Sequence, residues 1–399
     1  MSANDNALNV LVVGAGMYVC GRHTQGFGTI LPTLVNAQMA GVVGEIFVAG
    51  ASSEGVEVLE KKLDDLNTYF GSSCRVRTYP RAGKGEHDPT VYRKALAEIP
   101  RPASAIVAVP DHLHTSIAED IVRSGIHLLV AKPLSPTLKE ALHLVELAEA
   151  NDVYGAVEFH KRFDEANLLL RKHFSEGRLG RLRYVTVEYS QRRQIRKIFN
   201  SWINHTNVFQ YLGVHYVDII YFVTAARPIR VVATGQPIHA MGKTHGMLDA
   251  IQAIVEWEIP RTGETFVSTI VTSWIDPNAS SAMSDQKITA VGTGGRYYSD
   301  QKHRGVQLVT ERGGTEEINP YFTQSYTGAD GLPGVYGYGP RCIQQFLGDV
   351  RDLIAGRCPR RSLLATRPSF REALVSTAVI EAVNRSLTRG SEWIPIEET

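Results

Sequence analysis

The sequence predicts an α/β protein: an amino-terminal doubly wound parallel sheet, then an α+β part with a large, mostly antiparallel open sheet. Three observations carry this. Short continuous apolar runs alternate with helical stretches over the first 155 residues, the pattern of strands covered on both faces by crossover helices. A glycine turn, Gly14-Ala15-Gly16, follows the first run. Beyond that stretch the runs lengthen and alternate apolar with polar, as strands with one solvated face do.

The elements follow in order. Leu8 to Val13 is the first strand. Glu45 to Ala51 is the second, and a helix runs from about Ser53 to Phe70. Ala105 to Val109 is the third, ending at Pro110, with a helix through Ser116 to Ser124. His127 to Val130 ends at Lys132-Pro133 and precedes a helix over Thr137 to Ala150. Gly14 makes the turn of a dinucleotide-binding Rossmann fold, and Gly16 lets a pyrophosphate approach the backbone. The third glycine of the usual spacing is absent: Val19 stands there and the next is Gly21. The end of the second strand, Ala49 to Glu54, offers Ser52 and Ser53 but no acid at the strand end and no neighbouring arginine. NAD and NADP therefore both stay open as cofactors.

Composition narrows the function. The chain has 399 residues and a net charge of +1, so no basic surface is available to neutralise a run of phosphates, and nucleic acid is not expected as a partner. No apolar stretch reaches ~18 residues, so no membrane span is expected. The opening residues lack the basic and apolar regions of a secretory leader. Four scattered cysteines without a CxxC pair point to neither disulfides nor zinc, and to the cytoplasm. At ~150 residues per domain, two domains are expected, or three at a stretch, with 1–155 binding the dinucleotide and 156–399 forming the second.

The segment Val107 to Ala148, with Pro110-Asp111, His114, Gly125-Ile126-His127 and Ala131-Lys132-Pro133, resembles the core of the Gfo/Idh/MocA oxidoreductases. Glu158 to Asp164, Gly213 to Asp218 and Phe346 to Ile396 extend the resemblance over most of the chain. It implies a nicotinamide-dependent oxidoreductase acting on a polyol, sugar or cyclitol, assembled as a homodimer or homotetramer through its open sheet. With the glycine turn, it places the cofactor at Gly14, Gly16, Met17, Tyr18, Ser52, Ser53, Pro110, Asp111, His114 and Lys132. Two positions depart from the family pattern: Ala131 replaces the Glu of Glu-Lys-Pro, and Tyr211 stands where an Asp is frequent.

Chemistry then attaches to particular residues. Lys132 ends an apolar strand, and in an open α/β sheet the carboxyl ends of strands face the ligand. A lysine there, partly desolvated, can bond a substrate hydroxyl and help move its proton. Tyr211, His215 and Asp218 are spaced to share one helix face within Gln210 to Phe222. His215 is the expected general base, Tyr211 a hydrogen-bond donor or proton relay, and Asp218 a substrate ligand or an orienter of the imidazole. His160, Lys161 and Gln191 are further substrate-binding candidates. Arg192, Arg193, Arg196 and Lys197 form a basic loop, Trp274 and Ser280 to Gln286 are candidates for the site wall, and Tyr321 to Tyr338 reads as a long Gly- and Tyr-rich loop. No metal is needed and no ligand cluster for one is present. Two other functions share the pattern: an NAD(P)-binding regulator without turnover, and NAD-assisted glycoside cleavage through a 3-keto sugar.

Overall fold

The computed structural model describes residues 7–81, 85, 87–199, 202–237 and 247–399. The chain folds as two compact units. The first comprises Met1–Leu134, Glu140–His160 and Tyr321–Glu372. The second comprises Ser135–Lys139, Lys161–Pro320 and Ala373–Thr399. The leader reading falls partly on residues 1–6, outside the described residues.

The first unit is built on six parallel strands: β1 (Leu8–Val13), β2 (Val43–Ala49), β3 (Val76–Tyr79), β4 (Ala103–Val107), β5 (His127–Ala131) and β6 (Gly155–Glu158). Their order in the sheet is β3-β2-β1-β4-β5-β6. This is the doubly wound order, and it reverses between β1 and β4, where such sheets open a ligand crevice. Each apolar run is buried on both faces: Val10, Val12, Phe47, Ile106 and Leu129 are at most 1% exposed. Burying one such side chain stabilises the fold by about 1.5–3 kcal/mol. The helices are α1 (Met17–Cys20), α2 (Ile30–Met39), α3 (Ser53–Phe70), α4 (Tyr92–Glu98), α5 (His114–Arg123) and α6 (Leu138–Ala150). The side chain of Ser52 caps α3 by accepting from Gly55 N, and Gly71 ends it in the left-handed region.

Several elements differ from the sequence reading, among them the second strand, which runs Val43–Ala49 where Glu45 to Ala51 is expected. The strand expected over Ala105 to Val109 runs Ala103–Val107, which leaves Ala108 and Val109 for the turn that meets Gly14. The edge strand β3 was not expected, because its four residues are only partly buried and carry no apolar run. The helix after the glycine turn is broken. It stops after Cys20, where Gly21 at φ 74° packs so closely on Gly26 that a Cβ there would lie 2.0 Å from the Gly26 carbonyl oxygen.

The second unit carries a seven-stranded sheet. Its strands include β7 (Leu182–Arg192), β8 (Arg227–Pro237), β9 (Leu248–Ile259), β10 (Glu264–Asp276), β11 (Ser284–Gly292) and β12 (Arg296–Asp300), with Ile394–Pro395 added at the β8 edge. The sheet is mixed, because β7 and β10 pair parallel while the other neighbours are antiparallel. The helices α7 (Glu165–Ser175), α8 (Ile195–Ile198) and α9 (Val214–Thr224) lie in the same unit. On β10 one face buries Phe266, Ser268, Ile270, Thr272 and Trp274, while Val267 on the other is exposed. Among the described residues no helix is long and apolar enough to cross a membrane.

The Tyr321 to Tyr338 stretch is not a bare loop. It holds a hairpin of Gln324–Thr327 and Pro333–Tyr336, with the rings of Tyr326 and Tyr336 stacked 4.3 Å apart. Its glycines hide the strand pattern, and cross-strand pairing restores it.

Candidate cofactor and substrate site

At the carboxyl edge of the first sheet, Gly14 sits at φ 125°. A Cβ there would lie 2.2 Å from the Ala108 carbonyl oxygen, so β1 and the turn after β4 touch backbone to backbone. A Cβ at Gly16 would meet nothing within 4 Å. The peptide of Gly16 therefore faces open space, as the backbone approach of a pyrophosphate requires, and the residues present fit a dinucleotide. Met17 and Tyr18 begin α1 directly beyond it.

Beside the end of β2, Ser53 is buried and Ser52 spends its side chain on the helix cap. An arginine does stand here, contrary to the sequence reading. Arg22, which follows α1, donates from Nη2 to Glu54 Oε1 at 2.9 Å, and its Nη1 is the nearest atom, at 3.1 Å, to a Cβ placed on Gly55. The break in the first helix turns the chain at Gly21 and delivers the next residue to this spot.

Pro110 precedes a 3-10 turn, Asp111–Leu113, in which buried Asp111 accepts from His112 N at 2.9 Å. His114 opens α5 and is fully buried. Its Nδ1 lies 2.7 Å from the Pro133 carbonyl oxygen and its Nε2 3.0 Å from that of Val109. A neutral imidazole has one N–H, so the ring donates to one of these carbonyls and packs against the other, between the chain after β4 and the chain after β5. Burial pulls its pKa below the ordinary value, with Asp111 and the two carbonyls pulling the other way. The unfolded imidazole therefore binds protons more readily than the folded one. Stability from this residue is full above pH ~6.5 and declines as pH falls below it. His114→Phe is expected to cost about 1–3 kcal/mol. It should also flatten the loss of urea midpoint between about pH 8 and 5.5; parallel slopes in both proteins would acquit His114.

Lys132 follows the last residue of β5 at intermediate exposure. One strand over, Glu158 ends β6, 3% exposed. Its carboxylate accepts from the Tyr18 phenol at 2.6 Å and lies 2.8 Å from His160 Nδ1. The His160 ring stacks near Tyr18, Tyr338 and Phe322, with centroids 6.0, 5.7 and 5.3 Å away. Burial first, then the Glu158 charge, pushes the Tyr18 pKa well above its usual value.

The second unit holds the remaining candidates. Lys161 is buried, and its ammonium donates to Gln286 Oε1 and, at 3.0 Å, to Gln301 Oε1. The rings of Tyr189 and Tyr216 lie 5.3 and 5.5 Å from it. Gln191 donates to Ser284 Oγ at 3.1 Å. The span Gln210 to Phe222 is not one regular helix: Phe209–Gly213 is a π-helical turn and α9 follows. Tyr211 packs among Phe199, Trp202 and Trp274. His215 is 4% exposed, with its ring 6.2 Å from Tyr189. Asp218 takes a bidentate bond from Arg162, Nη2 to Oδ1 at 2.6 Å and Nε to Oδ2 at 2.9 Å. The basic loop is partly spent on structure: Arg196 pairs with Asp249, and Arg192 donates to the Ser280 carbonyl.

Comparison with known proteins then fixes the kinship. Residues 8–159 match the oxidoreductase family with an NAD-binding Rossmann fold, and residues 168–298 match the GFO/IDH/MocA carboxyl-terminal domain. The chain belongs to the Gfo/Idh/MocA oxidoreductase family. The levoglucosan dehydrogenase of Pseudarthrobacter phenanthrenivorans is 32% identical over 85 residues, 21% of this chain and 22% of that protein. The inositol 2-dehydrogenase of Rhizobium meliloti is 21% identical over 155 residues, 38% of this chain and 46% of that one. In these pairs the chain spans less than half the length of the curated relative. The inositol dehydrogenase homolog of Azotobacter vinelandii, solved with NADH and myo-inositol, shares the fold over 99% of both chains, with a TM-score of 0.68 and 18% identity.

Within this Gfo/Idh/MocA chain, four residues matter that sequence reasoning did not single out. Glu158 and Arg162 stood inside a quoted motif without an assigned role, and Arg22 and Gln301 carried no local signal. What brings each to its partner is tertiary.

Proposed function

We propose that the protein is an NAD(P)-dependent dehydrogenase or reductase acting on a secondary hydroxyl, or the matching ketone, of a cyclitol, sugar or sugar derivative. The observation that carries this is Lys132 at the carboxyl edge of a doubly wound sheet whose glycine turn leaves Gly16 facing open space. The family and the names of its polyol-oxidising members support it. A bound nicotinamide supplies the hydride acceptor or donor. Gly14, Gly16, Met17 and Tyr18 hold the pyrophosphate half, Ser52 and Ser53 face the adenosine ribose, and Pro110 and Asp111 border the nicotinamide half. His114 shapes that border by holding the two strand ends. Lys132 donates to the substrate hydroxyl, and His215 takes the proton on oxidation and returns it on reduction. Tyr211, His160 and Gln191 read further hydroxyls. Asp218 and Lys161 act through the residues they hold.

A panel of cyclitols and sugars with NAD+ and with NADP+ tests the reading through absorbance of the reduced nicotinamide. Turnover supports it. Cofactor binding with no turnover on the whole panel would instead favour a regulator, for which Ala131 and Tyr211 are the supporting departures. Release of an aglycone without accumulating reduced cofactor would favour glycoside cleavage.

Cofactor choice rests on Arg22 and Glu54. The pair lies at the surface, with 23% of the Arg22 and 74% of the Glu54 side chain exposed, so little energy holds it closed. Glu54→Gln releases the guanidinium for a 2′-phosphate and removes a repelling charge. NADPH should then bind about 3- to 10-fold tighter while NADH changes little, and Arg22→Ala should weaken NADPH alone. Fluorescence titration reads both; equal shifts for the two cofactors would remove the pair from selection.

We further propose a homodimer or homotetramer, in the cytoplasm, joined through the open face of the second sheet. Exposed Tyr184, Ile254, Val267 and Tyr298 on its strands support this, as do four unbonded cysteines for a reducing compartment.

A further inference from the structure

Glu158 has no role in the reading above, yet it is a buried carboxylate that holds both Tyr18 and His160. In the β5–β6 ladder Ala131 stands directly opposite Glu158. Neighbouring strands lie about 4.8 Å apart and opposed residues present their side chains to the same face. Position 131 is where the Glu-Lys-Pro pattern has its glutamate. With alanine there, the carboxylate of this chain comes from the next strand.

A buried carboxylate persists only with donors around it. Glu158 has the Tyr18 hydroxyl at 2.6 Å and His160 Nδ1 at 2.8 and 3.0 Å from its two oxygens. Tyr18 is two residues beyond Gly16 of the cofactor turn. One carboxylate thus joins the turn that follows β1 to the strand edge beside Lys132. The rings of Tyr18, Tyr338 and Phe322 around His160 hold the imidazole in the orientation that serves it.

We propose that Glu158 is a positioning residue of the cofactor site, a carboxylate transposed from position 131 to the facing strand, where it fixes Tyr18 and the glycine turn relative to the strand end that bears Lys132. This rests on the nicotinamide-dependent reading. It makes one exchangeable feature of the departure at Ala131, and it separates the charge from the strand that carries it.

The test compares wild type, Glu158→Ala, Tyr18→Phe and the double variant Ala131→Glu/Glu158→Ala. Each is measured by thermal melting, by NADH and NADPH fluorescence titration and by separate kcat and KM for cofactor. Glu158→Ala should weaken cofactor binding about tenfold or more, and Tyr18→Phe should weaken it in the same direction. KM for cofactor should rise more than kcat falls. Returning the carboxylate to position 131 should recover most of the lost affinity. The proposal is overturned if Glu158→Ala binds cofactor as wild type does, or if the folded double variant recovers nothing. If Glu158→Ala does not fold, Tyr18→Phe and the double variant decide: normal affinity in Tyr18→Phe overturns the proposal, and a folded double variant that binds cofactor supports it. A wild-type chain that binds neither cofactor overturns the functional reading itself and this inference with it.

Discussion

Lys132→Ala is expected to lower kcat by about 100- to 10,000-fold while leaving the fold nearly unchanged. The lysine follows β5 at intermediate exposure, outside the packed core, so truncation opens no cavity. What it removes is a donor that can also give up its proton. Lys132→Arg should therefore fail to rescue, since a guanidinium holds its proton across the whole working range and presents a planar fork in place of a point donor. The measurement is kcat and KM on the best substrate of the panel, beside a cofactor titration. A kcat within about threefold of wild type would take Lys132 out of the chemistry.

The second large effect concerns stability. Asp218→Ala is expected to destabilise the chain by about 3–5 kcal/mol, because it withdraws the carboxylate from a guanidinium that is itself buried. The side chains of Asp218 and Arg162 are 2% and 6% exposed, and the guanidinium grips both oxygens. The sequence reading made Asp218 a substrate ligand or an orienter of the imidazole. That reading and the ion pair separate cleanly in urea unfolding without any ligand. A midpoint unchanged from wild type together with a raised KM would return Asp218 to substrate binding alone. A lowered midpoint identifies the ion pair as what holds α9 to the segment before α7.

Some elements were legible because their causes are local. β1 spans the expected Leu8–Val13 and α3 the expected Ser53–Phe70. In β1, burial on both faces writes an unbroken apolar run. In α3, a serine cap, a period of buried leucines and a terminal glycine mark both ends. β3 escaped because a short, half-exposed edge strand leaves no such trace. By its period Gln210 to Phe222 reads as one regular helix, and the π-helical turn at Phe209–Gly213 is not legible from it.

Taken alone, the chain's order of residues determined the parallel sheet, its glycine turn and the place of Lys132 at a strand's carboxyl end, since each depends on neighbours a few positions away. Tertiary structure decided which charges meet. Arg22 finds Glu54 across 32 residues, Arg162 finds Asp218 across 56, and Tyr18 finds Glu158 across 140. Such pairs depend on strand register and on where a broken helix turns the chain. Apolar periodicity says which side of an element is buried, but not which residue on the next element will lie against it.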